Sequence, residues 1–110
     1  MALVRLAQLP DEPLAAAAQF HASELPGIRR ALDNRPDQLT LVFAPADHSH
    51  HAWRLAAVQE LAREYAPLRV NAAVSDEDDA IAAAATYLSE AKGLTGQLLA
   101  LDGNGAGPVL

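Results

Sequence analysis

The stretch LTLVFA at residues 39–44 decides the fold of this chain. It is apolar at nearly every position, which predicts a strand buried on both faces, as in a parallel sheet. Pro45 ends this strand, because proline has no N–H to donate to a ladder. Three further apolar runs, at residues 3–7, 68–74 and 97–101, are also predicted to be strands.

Segments with a helical period separate these strands and predict three helices. The first begins after Asp11, its predicted N-cap, with Pro13 in the first turn. Pro26 and Gly27 are expected to kink or break it. Its apolar stripe steps by four and three residues, as a buried helix face does, and consists of Leu14, Ala18, His21, Leu25, Ile28 and Leu32.

The second and third helices have clearer ends. The second is predicted to run from about residue 49 to residue 66, with small residues that would let another helix approach closely. The third follows a capping box at residues 75–78 (SDED) and is expected to end at Lys92, with Gly93 as its C-cap. The glycine-rich residues 103–107 are predicted to be a terminal tail.

Composition limits what the chain can be. Its 110 residues predict one domain, residues 1–110, and the alternation of strands and helices predicts an α/β fold. The net charge of −6 and the absence of a basic stripe argue against nucleic-acid binding. There is no cysteine, and no run approaches the roughly 20 apolar residues of a membrane helix. We therefore expect a cytoplasmic protein with no membrane partner and no thiol chemistry.

The second half of the chain carries a series of short motifs in order. They are LARE at 61–64, LRVNA at 68–72, the helix at 80–90, LTGQ at 94–97 and LDG at 101–103. In this order and spacing the chain resembles the carboxy-terminal half of a short-chain dehydrogenase/reductase. The resemblance implies a truncated, Rossmann-like, three-layer fold with a four-stranded parallel sheet in the order 1-2-3-4 and three crossover helices. It also implies that the third helix crosses to the other face of the sheet.

The residues that this family uses for chemistry are not matched. At the usual spacing before residues 61–64, Asp47 takes the place of the catalytic tyrosine and His51 that of the lysine. The strand end that would offer a serine has the sequence FAPA at residues 43–46. The resemblance further implies that the glycine-rich, dinucleotide-binding first half is missing. We therefore expect no bound cofactor and no hydride transfer by this chain alone.

The segment DHSHH at residues 47–51 is the one cluster of titratable residues that could carry chemistry. Asp47 and His51 share a helix face at i, i+4, so they could form an acid/base pair, and His48, His50 and His51 could bind a metal ion. The alternative is a helix start, with Asp47 or Ser49 as cap and solvated histidines. That alternative is preferred because no second ligand cluster exists. His21 is expected to be a core-edge or interface histidine with one hydrogen bond.

Two hypotheses for the function remain. The first is a non-catalytic module that associates with itself, as a dimer or larger assembly, or with a full-length homologous partner. Part of the second sheet face and the edge of the first strand would otherwise stay uncovered, and the second helix resembles the family's dimer surface. Its predicted interface residues are Leu25, Ile28, Ala52, Trp53, Leu55 and Ala56. The second hypothesis is a residual nucleotide or small-molecule binder, derived from an oxidoreductase, with a site near Asp47 and His51.

Overall fold

Four parallel strands form the sheet in the order predicted from the sequence. The computed structural model describes residues 2–102 and 105–106. The strands pair in the order β1-β2-β3-β4 and are β1 (Ala2–Arg5), β2 (Gln38–Phe43), β3 (Arg69–Val74) and β4 (Leu98–Asp102). A short strand that was not predicted, β5 (Gly105–Ala106), pairs with β4 in the antiparallel direction. Of the predicted tail, residues 103, 104 and 107 lie outside the described residues.

The central strand β2 is buried along its whole length, as the sequence at residues 39–44 predicted. Because successive side chains of a strand point to opposite faces, Leu39, Leu41 and Phe43 pack on one side of the sheet. Thr40 and Val42 lie on the other side. Two covering layers of helix are therefore required, and the four helices of the structure provide them: α1 (Pro13–Gln19), α2 (Leu25–Asp33), α3 (His51–Glu64) and α4 (Asp78–Glu90).

Helices cover both faces of the sheet, so the fold has three layers, as predicted. The two helical layers are unequal in size. The main core joins β2, β3 and β4 to α2 and α3 on one face, through residues such as Ile28, Leu32 and Val58. On the opposite face α4 packs against β2 and β3, burying Ala80, Ile81, Ala84, Ala85 and Leu88. The strands follow one another across the parallel sheet in chain order, but α4 lies on the opposite face from the other crossover helices. The β3–α4–β4 crossover must therefore have the opposite hand to the first two.

The first predicted helix is unbroken, but one of its turns is a π turn, which contains one residue more than an α-helical turn. A π-helical turn, Phe20–Glu24, joins α1 to α2, and the N–H of Leu25 donates to the carbonyl of Phe20. The predicted break at Pro26 and Gly27 is therefore wrong. Pro26 stands in the first turn of α2, where its missing N–H interrupts no α-helical hydrogen bond.

The π turn also changes which residues the first helix buries. A π turn adds one residue to the helical period, so the apolar pattern before it is displaced by one position. Ala16 and Phe20 are buried, together with Ile28 and Leu32 beyond the turn. The first part of the predicted stripe is wrong: Leu14 is 80% exposed, and Ala18 and His21 are exposed as well.

Three helix ends differ from their predictions by one or two residues. Glu12, not Asp11, caps α1 by accepting a hydrogen bond from the N–H of Ala15. The α4 helix begins at Asp78 because the Ser75 hydroxyl accepts from the Glu77 N–H, 3.0 Å away, instead of capping the helix itself. Its C-cap is Ala91, not Gly93.

Asn71, the asparagine of the LRVNA motif, fixes β3 to the loop that precedes β4. It is fully buried. Its amide nitrogen donates to the carbonyl of Leu94 at 3.0 Å, and its amide oxygen accepts from the N–H of Gln97 at 3.0 Å. Because a buried polar group without a partner is costly, the side chain and the loop stabilise each other.

We expect the Asn71→Ala substitution to lower the free energy of unfolding by about 1–3 kcal/mol, because it removes both hydrogen bonds between the buried amide and the loop. Urea denaturation followed by circular dichroism measures the change. Asn34→Ala, at an exposed position after α2, is the matched control and should change the free energy by less than about 0.5 kcal/mol. Equal effects of both substitutions would contradict the assignment.

Candidate functional site

A cleft opens at the carboxyl ends of β1 and β2. Its cavity has a volume of about 40 Å³, and it is lined by residues 6–11 after β1, residues 43–46 at the end of β2, His50 and Arg54. In open parallel sheets this edge is where ligands are usually bound, because loops and helix starts converge there. A cavity of this size holds a few water molecules or one small polar group.

Arg54 is the charged group of the cleft. It lies near the start of α3 and is only 6% exposed. Its Nε atom is buried without a hydrogen-bond partner, and within residues 2–101 no carboxylate oxygen comes within 4.0 Å of the guanidinium. Burial lowers the pKa of the Arg54 guanidinium from its ordinary value, because the charged form loses hydration.

Two aromatic rings are the closest neighbours of this charge. The guanidinium carbon lies 4.6 Å from the ring centroid of Phe43 and 5.8 Å from that of Trp53. Cation–π contacts of this kind stabilise a desolvated arginine. The rings do not accept conventional hydrogen bonds, however, so the donors of Arg54 stay available to a group in the cleft.

His50 stands beside Arg54 and has a structural role. Its Nε2 lies 2.8 Å from the carbonyl oxygen of Asp11, and the indole N–H of Trp53 donates to its Nδ1 at 3.1 Å. These partners assign the neutral tautomer with the proton on Nε2. Both ring nitrogens are engaged in holding the loop after β1 against α3. His50 therefore has no free nitrogen for a metal ion.

The other residues of the DHSHH segment lie outside the cleft. Asp47 is exposed and caps the short 3₁₀ turn His48–His50, accepting from the Ser49 hydroxyl and, at 3.0 Å, from the Ser49 N–H. These hydrogen bonds hold the pKa of Asp47 below its ordinary value, which makes it a weak base. His48 is exposed and His51 half-buried. Within the described part of the chain, no three histidine or acidic side chains come close enough to hold a metal ion.

Arg54 is not among the predicted site residues. It lies within the predicted second helix, about residues 49–66, whose small residues predicted close packing by another helix. The available signal was its spacing: Arg54 follows His50 by four residues and therefore shares its helix face. An arginine between Trp53 and Leu55 in such a helix is the pattern that could have pointed to it.

A second concavity lies between α3 and the first helical segment, which consists of α1, the π turn and α2 (residues 13–33). This groove has a volume of about 300 Å³. Its floor consists of the buried side chains of Phe20, Ala57 and Leu61, and its walls include three of the predicted interface residues: Leu25, Trp53 and Ala56. Of the remaining three, Ile28 is fully buried in the core, while Ala52 is exposed and Leu55 half-buried outside the groove lining.

Charged residues border this apolar groove. Arg29 forms an ion pair with Glu64 and donates to the Tyr65 hydroxyl at 3.0 Å. The hydrogen bond from Arg29 lowers the pKa of the Glu64 carboxyl and raises that of the Arg29 guanidinium. Glu60 lies one helical turn before Glu64 on the same rim. His21 contributes its single hydrogen bond, to the carbonyl of Ala17 at 2.8 Å.

Comparison with protein-family models identifies the family of the chain. The model of the SDR-like family, described as short chain dehydrogenase-like protein, matches residues 4–101. The chain belongs to the SDR-like family. No match was found among curated proteins or among solved structures. In this SDR-like chain, the described residues contain no helix that is long and apolar enough to cross a membrane.

We expect Arg54→Met to raise the free energy of unfolding by about 1 kcal/mol or more, because it removes an unpaired buried charge and keeps the side-chain volume. The urea midpoint, compared with that of the wild type, measures the effect. Arg30→Met replaces an exposed arginine on α2 and should leave the midpoint unchanged. A marked destabilisation by Arg54→Met alone would mean that the guanidinium has a stabilising partner in the folded chain.

Proposed function

We propose that this SDR-like chain is a non-catalytic cytoplasmic module that acts by associating with a second copy of itself. The observation that carries the proposal is the apolar groove between the first helical segment and α3. Leu25, Trp53 and Ala56 border it while remaining open to solvent in one chain. The resemblance to the helical dimer surface of the short-chain dehydrogenase/reductase family supports the same location.

The chemistry of the groove favours a helix as its occupant. Its walls are apolar, so covering them removes apolar area from water, which stabilises an interface by about 25 cal/mol per Å². Ala56 is small and exposed at the rim of α3, which allows a partner helix to approach closely. The half-buried Trp53 has the size and rigidity of residues that dominate binding energy at interfaces.

The charges at the rim favour an identical partner. In a two-fold interface the same patch meets itself, so each charged residue must find its counterpart on the same surface. The groove is bordered by Arg29 on one helix and by Glu60 and Glu64 on the other. A two-fold arrangement can therefore bring the arginine of one copy to the carboxylates of the other.

The edge of β1 is a weaker candidate for association. Among the described residues β1 pairs with β2 alone, and Leu3 is 36% exposed. Arg5 occupies the end of this edge strand and forms an ion pair with Asp78 at 2.7 Å. A charge on an edge strand discourages pairing with another strand, which favours the groove.

The absence of catalysis is inferred from the positions that the family uses. Asp47, which takes the place of the tyrosine, is an exposed helix cap with a lowered pKa and cannot replace a general acid of high pKa. His51 takes the place of the lysine and does not line the cleft. The segment from residue 6 to residue 12 (LAQLPDE), between β1 and α1, contains no glycine that could bring the backbone close to a pyrophosphate.

We expect the native mass to be at least twice the 11.6 kDa of one chain, measured by light scattering after size-exclusion chromatography. Ala56→Glu places a charge in the apolar wall of the groove and should weaken association at least tenfold. Ala83→Glu, at an exposed position on α4, is the matched control and should leave the mass unchanged. A monomeric wild type, or equal effects of both variants, would contradict self-association through the groove.

A separate prediction concerns the nicotinamide cofactors. Calorimetric titration with NADH and with NADPH should give no binding tighter than about 100 μM, or about −5.5 kcal/mol. The reason is that neither a glycine-rich loop nor the tyrosine–lysine pair is present to hold the cofactor. A tighter complex would replace the non-catalytic assignment with a nucleotide-binding one. The Ala56→Glu variant would then decide whether that site is built across two copies.

A further inference from the structure

The cleft at the carboxyl ends of β1 and β2 contains a charge that the fold leaves unbalanced. The Arg54 residue is only 6% exposed, and its Nε atom has no hydrogen-bond acceptor. The basic and acidic residues that pair within the described chain, such as Arg5 with Asp78 and Arg29 with Glu64, do so at more exposed positions. An arginine buried without an anion costs free energy that folding does not recover.

We propose that the cleft binds the carboxylate of a small organic acid, with Arg54 as its anion-binding residue. A guanidinium presents its N–H donors as a planar fork that matches the two oxygens of a carboxylate. The rings of Phe43 and Trp53 hold the guanidinium in place. The proposal goes beyond self-association and does not depend on it.

The size and lining of the cleft define the acid. A cavity of about 40 Å³ corresponds to about three water molecules, which suits the three heavy atoms of a carboxylate better than a phosphate. The rest of the lining combines apolar residues, among them Leu6, Leu9 and Pro45, with the polar residues Gln8 and Asp11. The ligand class is therefore a small monocarboxylic acid whose carboxylate fills the cavity while its short apolar chain extends out of it.

The hydrogen bonds of the neighbouring residues leave Arg54 as the donor of the cleft. The 3₁₀ turn His48–His50 leads into α3 (His51–Glu64), so the start of this helical segment lies beside the cleft, but Asp47 already caps the turn by accepting from the Ser49 N–H. Both ring nitrogens of His50 are engaged by the Asp11 carbonyl and the Trp53 indole, so His50 offers no hydrogen bond to a ligand.

Fluorescence of Trp53 provides a direct test, because it is the only tryptophan of the chain and lies 5.8 Å from the Arg54 guanidinium carbon. Titration with sodium butyrate should change its emission saturably. Butyramide, which has the same shape and no charge, and sodium chloride at equal ionic strength should have no saturable effect. A response to butyramide equal to that of butyrate would overturn the proposal, since the cleft would then be binding the apolar chain alone.

Substitutions of Arg54 test whether this residue binds the carboxylate. Arg54→Met should abolish the butyrate response, and Arg54→Lys, which keeps the charge but loses the fork, should weaken binding at least tenfold. Arg30→Met, at an exposed site, is the control and should bind like the wild type. An Arg54→Met variant that retains the wild-type Kd would overturn the assignment.

Two further measurements complete the test. If Arg54→Met does not fold, the Tm of the wild type tests carboxylate binding instead. Butyrate must raise this Tm and butyramide must leave it unchanged. Inorganic phosphate that binds more tightly than butyrate would overturn the carboxylate assignment. The monomeric Ala56→Glu variant should bind butyrate like the wild type, so a failure of this proposal is distinguishable from a failure of self-association.

Discussion

The burial of β2 on both faces is the constraint on which the rest of the molecule depends. A parallel strand with Leu39, Leu41 and Phe43 on one side and Thr40 and Val42 on the other must be covered twice. The first helical segment and α3 cover one face, and α4 covers the other. The change of hand at the last crossover follows from this requirement, since a helix on the same face would leave the second side of β2 in water.

Trp53 connects the groove and the cleft. On the side of the groove its ring lies 5.4 Å from that of Phe20. On the side of the cleft it donates to His50 and contacts the Arg54 guanidinium. One side chain thus forms part of the proposed association surface and part of the proposed carboxylate site.

The proposed carboxylate site also illustrates how a binding site can reduce stability. A core made only of apolar side chains would be more stable than one that encloses an unpaired guanidinium. The loss is acceptable where the group acts on a ligand, and buried unpaired charges are therefore found mainly at functional sites. At the positions where the resemblance expects the tyrosine and the lysine, this chain has a helix cap, Asp47, and a half-buried His51, while the charge of the cleft comes from Arg54.

The sequence by itself determined the four main strands, their parallel direction and their alternation with helices, because long apolar runs and helical periods record burial directly. The sheet order and the three layers were implied by the resemblance of the motifs at residues 61–103 to a known family, not by periodicity. Only the tertiary structure decided the rest. The π turn at Phe20–Glu24 displaces the buried face by one residue, whereas the sequence also offered an unbroken α-helical stripe through Leu14, Ala18 and His21. Likewise, Arg54 became the charge of the cleft because the loop after β1 and the end of β2 enclose it. Burial of a charge depends on residues distant in sequence, which spacing along one helix cannot reveal.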